Sequence, residues 1–222
     1  MIDALKVCWH TLRHLNQHGY LYIWANVLWF LLTLPILTAP AAFAGLCALS
    51  RQAHLAPGVS LDDFWRGFRM NLRRGLVMGL VNVVVVVINL SNLSSYRNVS
   101  DPSANILRGT WIITLVVWFM IQFYMWPLMY ELKQPGLWGA MRNAAVMLLM
   151  NPLYSVILIV AGMLVAGVST FLFLMWVLLT GSVLAALATR AVLERLAAAG
   201  LRPALPQPED EAAGDVGGFE LE

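Results

Sequence analysis

Residues 143–189, NAAVMLLMNPLYSVILIVAGMLVAGVSTFLFLMWVLLTGSVLAALAT, contain no Asp, Glu, Lys or Arg. Crossing a hydrocarbon core as a helix takes about 20 apolar residues, and every backbone amide must be satisfied inside the segment because no water is available. The run is far longer than one crossing requires. Two helices beginning at Leu153 are expected, with AGVST near the middle supplying a tight turn at Gly167 to Thr170.

Three further stretches repeat the pattern: residues 16–50, 75–96 and 110–130 are also free of those four residue types. They predict spans at Tyr20 to Thr38, Leu76 to Leu93 and Thr110 to Tyr130, for five in all. Composition agrees. The 222 residues are 60% hydrophobic and 12% charged, with a mean hydropathy of +0.72, and no soluble core hides that much apolar surface. The fold class is an all-α polytopic membrane helix bundle, filling residues 1–200. The first gap also contains Pro35 and Pro40, each lacking a backbone donor. A helix break is therefore predicted at Pro35, Thr38 and Pro40. The helix that follows, Pro40 to His54, spans roughly 22 Å at the usual rise per residue; it is either a sixth, tilted crossing or a re-entrant segment.

The basic residues orient the chain. Arg51, Arg66, Arg69, Arg73 and Arg74 precede the second span, whereas the loop from Ser94 to Gly109 holds only Arg97 and Arg108. The arginine-rich side is predicted to be cytoplasmic, which also places the C-terminus inside a multi-pass cell-membrane protein. If the Pro40 helix returns through the bilayer, both termini lie inside.

PGVSLDDFWRGFRMNLRRG, residues 57–75, has its own local logic. Ser60 is a good N-cap and Asp62 and Asp63 sit in the first turn, where the helix dipole favours negative charge. Leu61, Phe64, Trp65, Phe68 and Leu72 fall on one stripe at 100° per residue, with Arg66, Arg69 and Arg73 on a separate flank. An interfacial helix over residues 60–74 follows, offering Phe64, Trp65, Arg66, Phe68, Arg69, Arg73 and Arg74 to anionic headgroups or a partner. The alternative is that its apolar stripe packs on the protein's own spans; both arrangements can hold together. Gly75 and Gly79 form a G-x-x-x-G step expected to support close helix packing, and Gly162 with Ala166 and Gly181 with Ala185 repeat it.

An N-terminal amphipathic helix is expected over residues 2–18, with Leu5, Cys8, Trp9, Leu12 and Leu15 on one face. His10, His14 and His18 share the other with Lys6 and Arg13. Four-residue spacing is also metal-ligand spacing, but a site needs three or four ligands with supporting partners, and the only nearby acid is Asp3. The histidines are read as a polar face, His54 as isolated, and neither metal nor cofactor is expected. Cys8 and Cys47 form no C-x-x-C. The N-terminus lacks the basic and apolar regions of a cleavable signal. Asn82, Asn89, Gln122 and Thr170 are the polar residues of the spans, and Glu131 is the nearest acid to them. No motif for nucleophilic, metal-assisted or phosphate chemistry is present, so no enzyme activity is expected. Residues 201–222 carry six acids and one Arg and are expected to form a disordered tail.

NVLWFLLTLPILTAPAAFAGLCALSRQ followed by SLDDFWRGFRMNLRRGLVMGLV resembles the N-terminal half of the YesL family, bacterial membrane proteins with a domain of unknown function (624). Leu34, Pro35, Thr38, Pro40 and Ala41 fit its Leu-Pro-x-x-T-x-x-Pro-Ala-like motif, and Phe64, Phe68 and Asn71 its Phe-rich stretch with an Asn. The usual Gly before Pro-Ala is Ala39 here. The resemblance implies a multi-span protein often found beside carbohydrate ABC importers, with no established reaction. Expected partners are thus anionic bilayer headgroups and subunits of such an importer; nucleic acid is not among them. Two function classes stay open, an accessory or regulatory component and a small-solute transporter or channel.

Overall fold

In the computed structural model, residues 2–17, 19–56, 58–99, 101–134 and 136–205 are described, and among them every regular element is helical. The order is α1 (Ile2–Gln17), α2 (Gly19–Thr33), α3 (Ala39–Leu55), α4 (Leu61–Ser95), α5 (Pro102–Met129), α6 (Leu137–Met150), α7 (Pro152–Phe171) and α8 (Phe173–Ala198). Helices α4, α5, α7 and α8 are long and apolar enough to cross a membrane; α2 and α6 are apolar but shorter. The molecule is an all-α integral membrane bundle.

Local signals set the helix ends. Asp63 accepts from the Ser60 backbone N–H at 3.1 Å and closes a capping box at the start of α4, so two orphan donors find partners. Asp101 caps α5 with Pro102 in the first turn. At the far end of α8, Gly200 adopts a φ of +70°; its N–H bonds to the Ala197 carbonyl and that of Leu201 to Leu196. This is the double closure of a Schellman motif, which favours glycine.

Several boundaries differ from the sequence reading. The first span is cut to Gly19–Thr33, because the chain turns over residues 34–38 instead of continuing to Thr38. The break in the last apolar block lies at Leu172, not at Gly167 to Thr170. Ser169 and Thr170 donate their hydroxyls to the carbonyls of Val165 and Ala166 four residues back and stay helical. The helix expected over residues 60–74 does not end there. Nothing at Arg73, Arg74 or Gly75 breaks it, and α4 continues as one 35-residue rod through the predicted span. Residues 201 and 202, assigned to the tail, are docked on the bundle: Arg202 lies 3.7 Å from Glu131. The remainder of that tail from residue 206 lies outside the described residues.

The core forms where α3 and α8 meet α5. Cys47, Leu46 and Leu49 of α3, Ala185, Ala188 and Ala191 of α8, and Tyr124, Met125 and Trp126 of α5 are all buried. On the α8 side the contact is made by alanines. That is the composition expected where backbones approach closely in lipid, since large apolar chains gain little by leaving one hydrocarbon environment for another.

Helix α1 turns the other way from its projection. Ala4, Val7, Thr11, His14 and Leu15 face the bundle, while Leu5, Trp9 and Leu12 are more than half exposed beside Lys6 and Arg13. The large apolar stripe is the outer one.

Candidate functional site

Four residues of α4 at steps of four, Gly67, Asn71, Gly75 and Gly79, face the α2–α3 hairpin. A Cβ at Gly67 would lie 2.4 Å from the Ala48 methyl, at Gly75 2.4 Å from that of Ala41, and at Gly79 2.3 Å from the Leu37 carbonyl oxygen. None of the three tolerates a side chain without movement of its neighbour. The fourth position of the stripe is polar and serves as a staple: the Asn71 amide donates to the Gly67 carbonyl at 3.0 Å and to the Tyr130 hydroxyl at 2.9 Å, and that hydroxyl donates to the Ala44 carbonyl at 2.8 Å. Helices α3, α4 and the end of α5 are joined at one point.

The hairpin tip holds the sequence-predicted break. Pro35 lies in the turn, Pro40 in the first turn of α3, and the Thr38 hydroxyl donates to the Leu32 carbonyl left open at the end of α2. Ile36 sits at a φ of +61°, an uncommon conformation for a β-branched residue, and it is held where the tip presses on Gly79. The register settles where α3 lies. With Leu37 opposite Gly79, Ala41 opposite Gly75 and Gly45 opposite Phe64 and Gly67, α3 runs beside the charged half of α4. Only its beginning reaches the uncharged part that starts at Gly75.

This packing sorts the predicted partner-binding residues. Phe64 is fully buried against Gly45, and Phe68, nearly so, is covered by Ala41 and Ala42 with Trp29, Leu32 and Leu72 around it. These two rings are therefore packed on the protein itself, while Leu61, Trp65 and Leu72 stay partly open. Trp65 is half-buried, with the Arg69 guanidinium 5.8 Å from its ring centre. Arg66 has 70% of its side chain exposed and lies 3.7 Å from Asp63. Arg73 is exposed, whereas Arg74 is half-buried and directs a nitrogen to the Asn71 side-chain oxygen at 3.4 Å. The result is a rigid ledge carrying Arg66, Arg69 and Arg73, suited to binding anions because planar guanidinium groups match carboxylate and phosphate.

Three sets of polar groups within the bundle are engaged with one another. Asn82 and Gln122 exchange hydrogen bonds at 2.8 and 3.0 Å, and the Trp118 indole donates to Asn82 at 2.9 Å. Tyr124 meets Ser155, and Thr180 meets Ser169. Asn26 was not among the polar residues singled out from sequence. It is fully buried, donates to the carbonyls of Trp176 and Val177 and accepts from the Ser182 N–H at 2.7 Å. A π-helical turn at Trp176–Thr180 interrupts the α-helical ladder there, and Asn26 supplies partners the ladder does not. Glu131, just past the close of α5, is 2.6 Å from Arg51 and 3.7 Å from Arg202, so its charge is balanced.

The histidines divide. His14 is buried and its ring lies 4.1 Å from that of His54, with Tyr22 edge-on at 6.0 Å; neither the exposed polar face nor the isolation of His54 survives. His10 lies at the α8 side, where burial and then the Arg190 charge hold its pKa below the ordinary value. His18 lies outside the described residues.

A family model described as "Protein of unknown function, DUF624" matches residues 22–93. No curated protein and no solved structure matches the chain. The matched stretch runs from Tyr22 of α2 to Leu93 near the end of α4, and thus takes in the hairpin, the glycine stripe and the arginine ledge. It is through this unit that the chain is similar to DUF624 proteins, the YesL family among them.

Proposed function

We propose that the protein is a non-catalytic accessory or regulatory component of a carbohydrate ABC importer in the bacterial cell membrane, docking through the ledge on α4. The observation that carries this reading is the contrast between the ledge and the interior. Phe64, Phe68 and the glycine stripe are spent on fixing the helix to α3, while Arg66, Arg69 and Arg73 point away from the protein. Fixed, exposed cations favour an acidic partner or headgroup and speed its encounter. A transporter for a polar solute needs a hydrogen-bonding path. Asn82 with Gln122, Tyr124 with Ser155 and Thr180 with Ser169 are bonded to one another, and the groove between α5 and α7 is lined by apolar residues such as Phe119, Phe123 and Met163. The resemblance to YesL proteins supports the importer as partner, and the basic asymmetry supports a cytoplasmic ledge and C-terminus.

The test is purification of the tagged protein from its own cells in mild detergent. Importer membrane subunits should accompany the wild-type chain, and the triple change Arg66→Glu, Arg69→Glu, Arg73→Glu should remove them while the protein still inserts and purifies as a folded species. Saturable uptake of a sugar by liposomes holding this protein alone would establish the transporter instead.

A further inference from the structure

The inner ends of three apolar stretches converge on a cavity of about 460 Å³. α5 contributes Leu128 and the Glu131 to Lys133 turn behind it, the junction before α7 contributes Asn151, and α8 its last turn at Arg195 and Leu196. α6 closes the side with Asn143, Met147 and Met150. Charge returns to the sequence at these positions, so the cavity sits at the boundary between hydrocarbon and headgroups. None of this was visible as a motif, because the contributing residues are spread from 128 to 201.

Its polar part is cationic. Arg195 is fixed twice, by the Asn151 side-chain oxygen at 3.3 Å and by stacking 3.6 Å over the buried Tyr154 ring. Lys133 is exposed at the rim. Among the described residues Glu131 is the only acid in the lining, and it is matched by Arg51 and Arg202, so within that set Lys133 and Arg195 have no counter-charge from the cavity. Its other wall is apolar and continues outward: Val146, Leu149 and Met150 of α6 are strongly exposed. A water-soluble anion would have no use for that wall, and a neutral chain none for the two cations.

We propose that this cavity binds one anionic phospholipid, its phosphate held by Arg195 and Lys133 with Asn143 and Asn151, and an acyl chain laid along Leu128, Met147 and Met150. Charge-assisted bonds to a phosphate supply selectivity for the headgroup, and the chain supplies affinity by apolar contact.

Full-length protein in detergent is equilibrated with phosphatidylglycerol or phosphatidylcholine of identical chains, and bound lipid is counted by native mass spectrometry. One phosphatidylglycerol should be retained with about tenfold preference, equivalent to about 1.4 kcal/mol. Lys133→Glu, Met147→Trp and Arg195→Gln should each reduce retention about fivefold or more, a loss consistent with one charge-assisted contact or a filled cavity, while Arg97→Gln in the distant loop leaves it unchanged. Should Arg195→Gln fail to fold, the other two decide. Equal retention of both lipids, or undiminished retention by both Lys133→Glu and Met147→Trp, overturns the proposal. So does displacement of the lipid by glycerol phosphate at equal concentration, since that identifies a free phosphate site rather than a lipid one.

Discussion

A methyl group on Gly79 would meet the Leu37 carbonyl oxygen at 2.3 Å, and backbone cannot swing aside as a side chain can. Gly79→Ala should therefore lift the hairpin tip and lower stability by about 1–3 kcal/mol, the usual cost of overpacking. Gly109, also helical, has nothing within 4 Å of its would-be Cβ, so Gly109→Ala should leave the thermal midpoint in detergent nearly unchanged. Equal losses at both sites would show that the stripe does not hold the hairpin. His10 offers a second test. Burial, and then Arg190, disfavour its charged form and hold its pKa below 6.5, so the folded state binds fewer protons than the unfolded one. Its contribution is present above pH 6.5 and is lost as the pH falls below that value. Histidine NMR resonances assigned with His10→Gln should show His10 titrating below the free imidazole, and a raised value would place it elsewhere than beside Arg190.

At the scale of the element, the sequence was most legible where water or a turn leaves a chemical mark. Ser60 with Asp63 announced the start of α4, Pro35 and Pro40 the hairpin tip, and uncharged runs the long helices. It was least legible where lipid is the solvent. The face of α1 chosen by projection was the large apolar one, Leu5, Trp9 and Leu12, yet bilayer and protein interior accept such residues equally well. The bundle took the smaller stripe of Ala4, Val7 and Thr11 and drew His14 in with it. The same reason explains why spacing alone leaves Phe64 and Phe68 open to either the interface or the protein's own helices, when they are buried under α3. Of the candidate site, the arginines and glycines were readable from spacing. The Asn71–Tyr130 staple, the His14–His54 contact and the cavity at Arg195 depend on partners between 40 and 73 positions apart and left no local trace.

For the whole molecule, α4 sets the dimension. Its 35 residues extend about 52 Å at 1.5 Å per residue, well beyond a hydrocarbon core of about 30 Å, long enough for its two ends to reach opposite sides. In a background with Cys8 and Cys47 changed to Ala, a single cysteine at Arg97→Cys should react with an impermeant thiol reagent on intact cells, and one at Arg66→Cys only after the membrane is opened. Labelling of position 66 alone in intact cells would invert the orientation.

The same helix is gripped tightly along one half, and on the other it is tied to α5 through Asn82. From Leu61 to Gly79 it is locked to α3, and beyond Gly79 a further 16 residues, about 24 Å, run to Ser95 with only 17% of the apolar window buried. The far half, with few packed neighbours, is the part of the rod able to tilt in the bilayer, while the half that carries the arginine ledge stays seated on α3.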